Sequence, residues 1–142
     1  MFRRLACLLP ALAACAPAMA AVMEDRPLAV LMALDKVTAR VSTLEIPVGM
    51  QTGYKTLRIA VRACRKASPL DTPESSAFLE ISEKREGSEP MIIFAGWMFA
   101  SSPALSAMDH PVYDVWVTDC KGDAEPAAEA PLPEGLSPLN PR

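Results

Sequence analysis

The sequence is poor in most of what builds a reactive centre. Among 142 residues there are one histidine, four cysteines and six glycines. A single histidine and the lack of any Cys-x-x-Cys pair leave no nitrogen and sulfur set for a structural zinc. The glycines never cluster into a loop that cradles phosphate, and the acids from Asp71 to Glu89 lack the spacing of a calcium-binding EF-hand. Met50, Met91, Met98 and Met108 raise a soft-metal surface only as a minor reading, since most methionines stand in apolar runs where they fill core gaps. The expectation is therefore no metal and no cofactor. With 14 basic against 17 acidic residues there is no cationic excess for nucleic acid. No uninterrupted apolar run approaches the roughly 20 residues that a membrane-spanning helix needs.

What is present begins with a leader. In "MFRRLACLLPALAACAPAMA", residues 1–20, Arg3 and Arg4 precede an apolar stretch that ends in Ala18-Met19-Ala20. Charge, apolar core and a small-x-small site in that order predict a secretory signal peptide cut before Ala21, and hence a periplasmic protein. "LAAC", Leu12 to Cys15, is an overlapping alternative: it is similar to a bacterial lipobox, in which Cys15 would be lipidated and anchor a lipoprotein. Cleavage after Ala20 leaves 12 basic and 17 acidic residues, a formal charge of −5, and two cysteines. In an oxidising compartment the pair Cys64 and Cys120 reads as one disulfide.

The chain from 122 to 142, "GDAEPAAEAPLPEGLSPLNPR", holds five prolines, four acids and no aromatic residue. Such a segment buries too little apolar surface to offset its ordering entropy, and it is expected to be disordered. Between an N-terminal linker, 21–27, and this tail lies one domain, 28–121. Its apolar period is two. "KVTARVSTLEI" sets Val37, Ala39 and Val41 against Lys36, Thr38 and Arg40; "TLRIAVRAC" sets Leu57, Ile59, Val61 and Ala63 against Arg58 and Arg62. "AFLEIS" is a third strand, and "MIIFAGWMFA", 91–100, apolar on both faces, predicts a strand covered on both sides. "VYDVWVTDC" closes the domain with Tyr113, Val115 and Val117 opposite Asp114, Trp116, Thr118 and Cys120. "PLAVLMALD", 27–35, reads equally as a short helix or an apolar strand. The fold class is all-β: a small sandwich or barrel of about five to seven strands with one short helical turn and one disulfide.

"LDKVTARVSTLEIPVG", "IAVRACRK" and "GWMFASSPALSAMDHPVYDVW" together resemble a proteobacterial secreted family catalogued as domain of unknown function 2155. The resemblance runs from about Leu34 to Lys121. It implies export, a single domain and the pairing of Cys64 with Cys120, and it adds no reaction.

The third stretch holds the residue types of a serine hydrolase: Ser101, Ser102 and Ser106, then His110, with Asp109 and Asp114. A Gly-x-Ser-x-Gly elbow is missing, since Ser102 is followed by Pro103, and Pro111 holds His110 extended at the entrance of a strand. "SSPALSAM" reads as a helical turn with Ser102 as cap and Pro103 at its first position. No catalytic residue is assigned. A more promising surface follows from strand parity. In regular strands Arg58 and Arg62 share a face with Cys64, and Asp114 and Trp116 share one with Cys120; a disulfide would merge the two faces. Arginine and tryptophan are enriched at interface hot spots. The leading expectation is thus a non-enzymatic periplasmic module that binds another envelope component, without nucleic acid and without a transmembrane helix in the mature chain. The alternatives are a small hydrolase using Ser102 or Ser101 with His110, and a small barrel that holds an apolar ligand against Trp97 and Phe99.

Overall fold

The computed structural model describes residues 22–123 and the backbone of 136–138. Residues 1–20, expected to be a signal peptide, with Cys15, and most of the tail lie outside the described residues. Strands run in chain order as β1 (Met23–Asp25), β2 (Leu28–Asp35), β3 (Arg40–Pro47), β4 (Met50–Tyr54), β5 (Leu57–Ala67), β6 (Ser75–Glu83), β7 (Met91–Phe99), β8 (Tyr113–Lys121) and β9 (Leu136–Pro138), with one 3-10 turn at Pro103–Ser106. The class is all-β, with seven strands of five residues or more. The three-residue segments β1 and β9 take the described total to nine. The ambiguous run 27–35 is a strand, and β1 falls inside the stretch expected to be a linker. Leu136–Pro138, within the tail expected to be disordered, lies antiparallel to β4 with Thr52 opposite Leu136 and Met50 opposite Pro138.

Two antiparallel sheets face each other. The larger runs β7-β6-β5-β4-β9, and β1 pairs with the far half of β5; the smaller runs β3-β2-β8. The chain changes sheet at two tight corners, Arg26-Pro27 and Val48-Gly49, and again between β7 and β8 and between β8 and β9. Both corners are tied down by backbone bonds: Val48 N–H donates to the Pro27 carbonyl, Gly49 N–H to Val61 and Arg26 N–H to Cys64, each at 2.8 Å. Gly49 holds φ +87°, a conformation that side chains disfavour, which is why glycine turns this corner. Between the sheets lies a core of fully buried aliphatics, among them Leu31, Ile46, Ile59, Leu79 and Val117.

Three bulges interrupt the ladders: one leaves Ile93 extra on β7, and the other two decide which way the cysteines of β5 and β8 face. On β5 the pairing with β6 passes from Val61 opposite Leu79 to Ala63 opposite Phe78, leaving Arg62 as the extra residue. On β8 the pairing with β2 passes from Val117 opposite Leu31 to Asp119 opposite Val30, leaving Thr118 extra; its hydroxyl donates to the Val30 carbonyl at 3.0 Å. Each extra residue reverses the alternation beyond it. Leu57, Ile59 and Val61 point inward as expected, whereas Ala63 is half-buried on the outside and Cys64 takes the inner side. Cys120 likewise joins Val115 and Val117 inside. The two sulfurs are bonded across the sandwich with their Cα atoms 5.8 Å apart, within ordinary disulfide range.

Two further expectations are corrected. Residues 36–39 form a turn, because one Asp35 carboxylate oxygen accepts the N–H groups of Val37 (3.0 Å) and Thr38 (3.1 Å) and closes the β2–β3 hairpin. Val37 and Val41 are consequently 77% and 51% exposed, and Leu44 and Ile46 face the core instead. β7 is an edge strand, paired with β6 alone, so its apolar run is covered on one face only in part.

The end of the sandwich remote from the disulfide is closed by a polar lock. His110 Nδ1 accepts the N–H groups of Val112 (3.1 Å) and Tyr113 (2.9 Å), so the ring hydrogen sits on Nε2 and points at Glu83 Oε1, 3.2 Å away. Arg85 donates to the other Glu83 oxygen at 2.9 Å through Nε and Nη2. The imidazole stacks on Tyr113 at 5.2 Å, and Tyr113 meets Tyr54 edge-on at 5.9 Å. β6, β8 and β4 are joined through these side chains.

Two outcomes follow. Removing the bridge, as in a Cys64→Ser/Cys120→Ser double variant, is expected to lower stability by about 4 kcal/mol, the chain-entropy value for a closed loop of this size, the cysteines being 56 positions apart; urea unfolding of oxidised protein and variant measures it. The Glu83 carboxyl is held below its ordinary range by the bonds from His110 and then Arg85, against the opposing effect of burial. A depressed folded-state value means stability present above the unfolded carboxylate pKa of about 4 and lost as the pH falls through the folded one. Glu83→Gln is therefore expected to flatten the acid limb of a stability-against-pH curve, measured by thermal unfolding from neutral pH downward.

Candidate functional site

The residues singled out for a shared surface are separated by the fold. Arg58 and Arg62 lie on the outer face of the larger sheet, where Arg62 Nη2 meets Glu80 Oε2 at 3.2 Å. Asp114 and Trp116 lie on the outer face of the smaller sheet; Trp116 stands opposite Met32 in the register and, with Asp114, lines a hollow of about 290 Å³ against Pro103 and Ala107 of the 3-10 segment. The disulfide lies in the core between the two faces. Regular alternation breaks at the bulge residues Arg62 and Thr118, each of which carries its cysteine to the side opposite the one that parity assigns.

An arginine and a tryptophan do meet on the outer face of the larger sheet. The Arg65 guanidinium lies over the Trp97 ring, 5.3 Å from its centroid, within the distance of a cation–π contact. Phe78 meets the same indole edge-on at 5.7 Å. Two cross-strand rows build the patch: Ala63, Phe78 and Trp97, and next to it Arg65, Ser76 and Phe99. Beside them Met23, Arg65, Glu74, Ser76, Trp97 and Phe99 line a groove of about 400 Å³.

Both charged groups of the groove are held by their own neighbours. Arg65 Nε donates to Asp25 Oδ1 at 2.9 Å, which leaves the guanidinium over the ring. Glu74 accepts the Ser75 N–H (2.9 Å), the Ser101 N–H (3.1 Å) and the Ser101 hydroxyl. Burial alone would raise its pKa, but the Ser101 hydroxyl and the backbone amides outweigh it and hold the carboxyl below its ordinary value. The result is an apolar, aromatic floor flanked by one fixed cation and one fixed anion. Trp97 and Phe99, expected to line the interior of a barrel, are thus outside, and aliphatic side chains fill the space between the sheets.

The residues of the hydrolase reading are not assembled. The Ser101 hydroxyl is spent on Glu74. Ser102 makes no side-chain cap bond to the 3-10 turn; its carbonyl accepts the Leu105 N–H at 3.0 Å, while Pro103 does open the turn. His110 is buried, and its two ring nitrogens are engaged by backbone amides and by Glu83. Nδ1, the nitrogen that would take a proton from a serine, has no free lone pair to do so. Among the described residues no three His, Cys, Asp or Glu side chains gather as a metal site, and no helix is long and apolar enough to cross a membrane.

A sequence relative is the protein named "Uncharacterized protein RP359" of Rickettsia prowazekii (strain Madrid E), 28% identical over 90 residues, which are 63% of this chain and 58% of the relative. The chain thus spans a little over half the length of that relative. No solved structure matches it. The family described as "Uncharacterized protein conserved in bacteria (DUF2155)" matches residues 29–120, a stretch that begins on β2, ends on the second cysteine of the bridge and contains the bulges at Arg62, Ile93 and Thr118 and the His110 lock. The chain belongs to that family.

Proposed function

We propose that this is an exported, periplasmic, non-enzymatic module that binds another component of the cell envelope through the outer face of its larger sheet. The observation that carries the reading is the Arg65–Trp97 patch with its groove. Tryptophan and arginine concentrate binding energy where they are held rigidly, because little side-chain entropy is then lost on docking. Here Trp97 is braced by Phe78 and Arg65 is oriented by Asp25. Export is supported by the order of features in the leader and by a disulfide between the two cysteines that cleavage after Ala20 leaves.

The test is site-specific photocrosslinking in intact cells. A photoreactive residue at Phe99, in the groove, is expected to give a discrete envelope adduct, and the same residue at Thr43, on the outer face of the smaller sheet, is expected to give none. Trp97→Ala and Arg65→Ala should each reduce the Phe99 adduct by about tenfold or more, the loss of one hot-spot side chain. Adducts of equal yield at both positions, or a Phe99 adduct indifferent to both substitutions, would refute this surface.

A further inference from the structure

The polar groups of the groove beside Arg65 and Trp97 are unequally satisfied. Glu74 is nearly full: the Ser75 N–H, the Ser101 N–H and the Ser101 hydroxyl fill three of the roughly four acceptor positions of a carboxylate. Arg65 is open. Asp25 takes Nε, whereas the Nη1 and Nη2 groups, which form the end-on fork of the guanidinium, have no hydrogen bond among the described residues, and the side chain is 48% exposed. Ser76 adds a third donor. It stands between Arg65 and Phe99 in one cross-strand row, is 5% exposed and lines the groove, and its hydroxyl has no hydrogen-bond partner among the described residues. Serine is small and its neighbours in the row are large, so the sheet is hollow above it.

We propose that the groove takes the carboxy-terminal residue of a polypeptide, an apolar residue whose free carboxylate meets the Arg65 fork and the Ser76 hydroxyl and whose side chain lies on Trp97, Phe99 and Met23. The assignment rests on this face being the docking surface. The unfilled groups, Arg65 Nη1 and Nη2 and the Ser76 hydroxyl, are all able to donate, and a guanidinium fork matches the two oxygens of a carboxylate. Around them the lining is apolar, so the carboxylate must carry an apolar group beside it. The side chains of aspartate and glutamate have none of their own. Glu74 selects further, because its negative charge also lines the groove and one acceptor position stays open. A fatty acid has no donor for that position, whereas the last residue of a peptide bears an amide N–H on the carbon that bears its carboxylate. At about 400 Å³ the groove is near the small end of ligand sites, which suits one terminal residue better than a long acyl chain.

The test titrates the exported, oxidised protein with three probes: a tripeptide of two alanines and a terminal phenylalanine with a free carboxylate, the same tripeptide as its carboxy-terminal amide, and decanoate below its micelle concentration. Binding is read by NMR from the indole N–H signals of Trp97 and of Trp116, which lies on the other sheet and serves as the internal control. The acid is expected to move the Trp97 signal and leave Trp116 in place, and the amide to bind about tenfold or more weakly, the loss of a charge-assisted bond. Arg65→Lys keeps the charge without the fork, and Ser76→Ala removes one donor with little change of shape; losses of about tenfold and about threefold are expected. Equal affinity for acid and amide, indifference to both substitutions, a Trp97 response to decanoate that matches the acid's, or no Trp97 response to any probe would each overturn the proposal. Failure here is separable from failure of the docking surface. A Phe99 adduct that forms in cells and depends on Trp97, while the acid does not bind, keeps the surface and removes the terminal carboxylate; an acid that binds and lowers the Phe99 adduct supports both.

Discussion

Everything on the two faces of this sandwich depends on the side to which Cys64 and Cys120 point. The bridge ties the smaller sheet to the larger one across the core and adds the entropic stabilisation of a closed loop to what burial provides. Bonding the cysteines across the core requires both to face inward, and on β5 and β8 that is possible only because Arg62 and Thr118 each interrupt the ladder. The same interruptions turn Ala63 and Arg65 outward on β5. The bulge that makes the bridge possible therefore also places Arg65 within reach of Trp97. Core and surface are specified by one irregularity.

At the far end the sandwich is held by polar groups. His110 serves there as a rigid acceptor: its Nδ1 takes two backbone N–H groups that the chain would otherwise bury unpaired as it turns into β8. Lys36 adds a bond from the β2–β3 turn, its Nζ donating to the His110 carbonyl at 2.8 Å. A histidine beside a carboxylate near several serines has the composition of a hydrolase site, and the hydrogen bonds at Nδ1 decide otherwise. Geometry at one nitrogen atom separates the two meanings of the same residues.

The strand content, the disulfide partners and the 3-10 turn at Pro103 were legible in the sequence, because alternation, cysteine count and proline act locally. Inward placement of Leu57, Ile59 and Val61 was legible for the same reason. Facing was lost at the first bulge on each strand, since a two-residue period carries no mark of an extra residue and the error persists to the strand end. Unbroken alternation therefore groups Arg58, Arg62, Asp114 and Trp116 and passes over Arg65. The apolar run of β7 misled differently: composition reports how apolar a strand is, whereas its place at an edge is set by the order of pairing. Val37 leaves the expected alternation because Asp35 offers the backbone a side-chain partner that turns the chain before β3 begins.

The position of β8 bears on when the domain can fold. β2 is the central strand of the smaller sheet and pairs along its whole length with β8, so that Leu28 lies beside Lys121 and Asp35 beside Tyr113. A chain delivered from its N-terminus presents β2 and β3 early, yet their sheet lacks its third member, its half of the covalent bridge and the ring of His110 until the last strand arrives. The β5-β6-β7 meander has its partners close in sequence and can pair first; the smaller sheet waits on contacts across almost the full domain, which are the slow ones to form. Folding is thus coupled to completion of the chain, and a truncated product lacking β8 would leave the apolar inner faces of both sheets open to water.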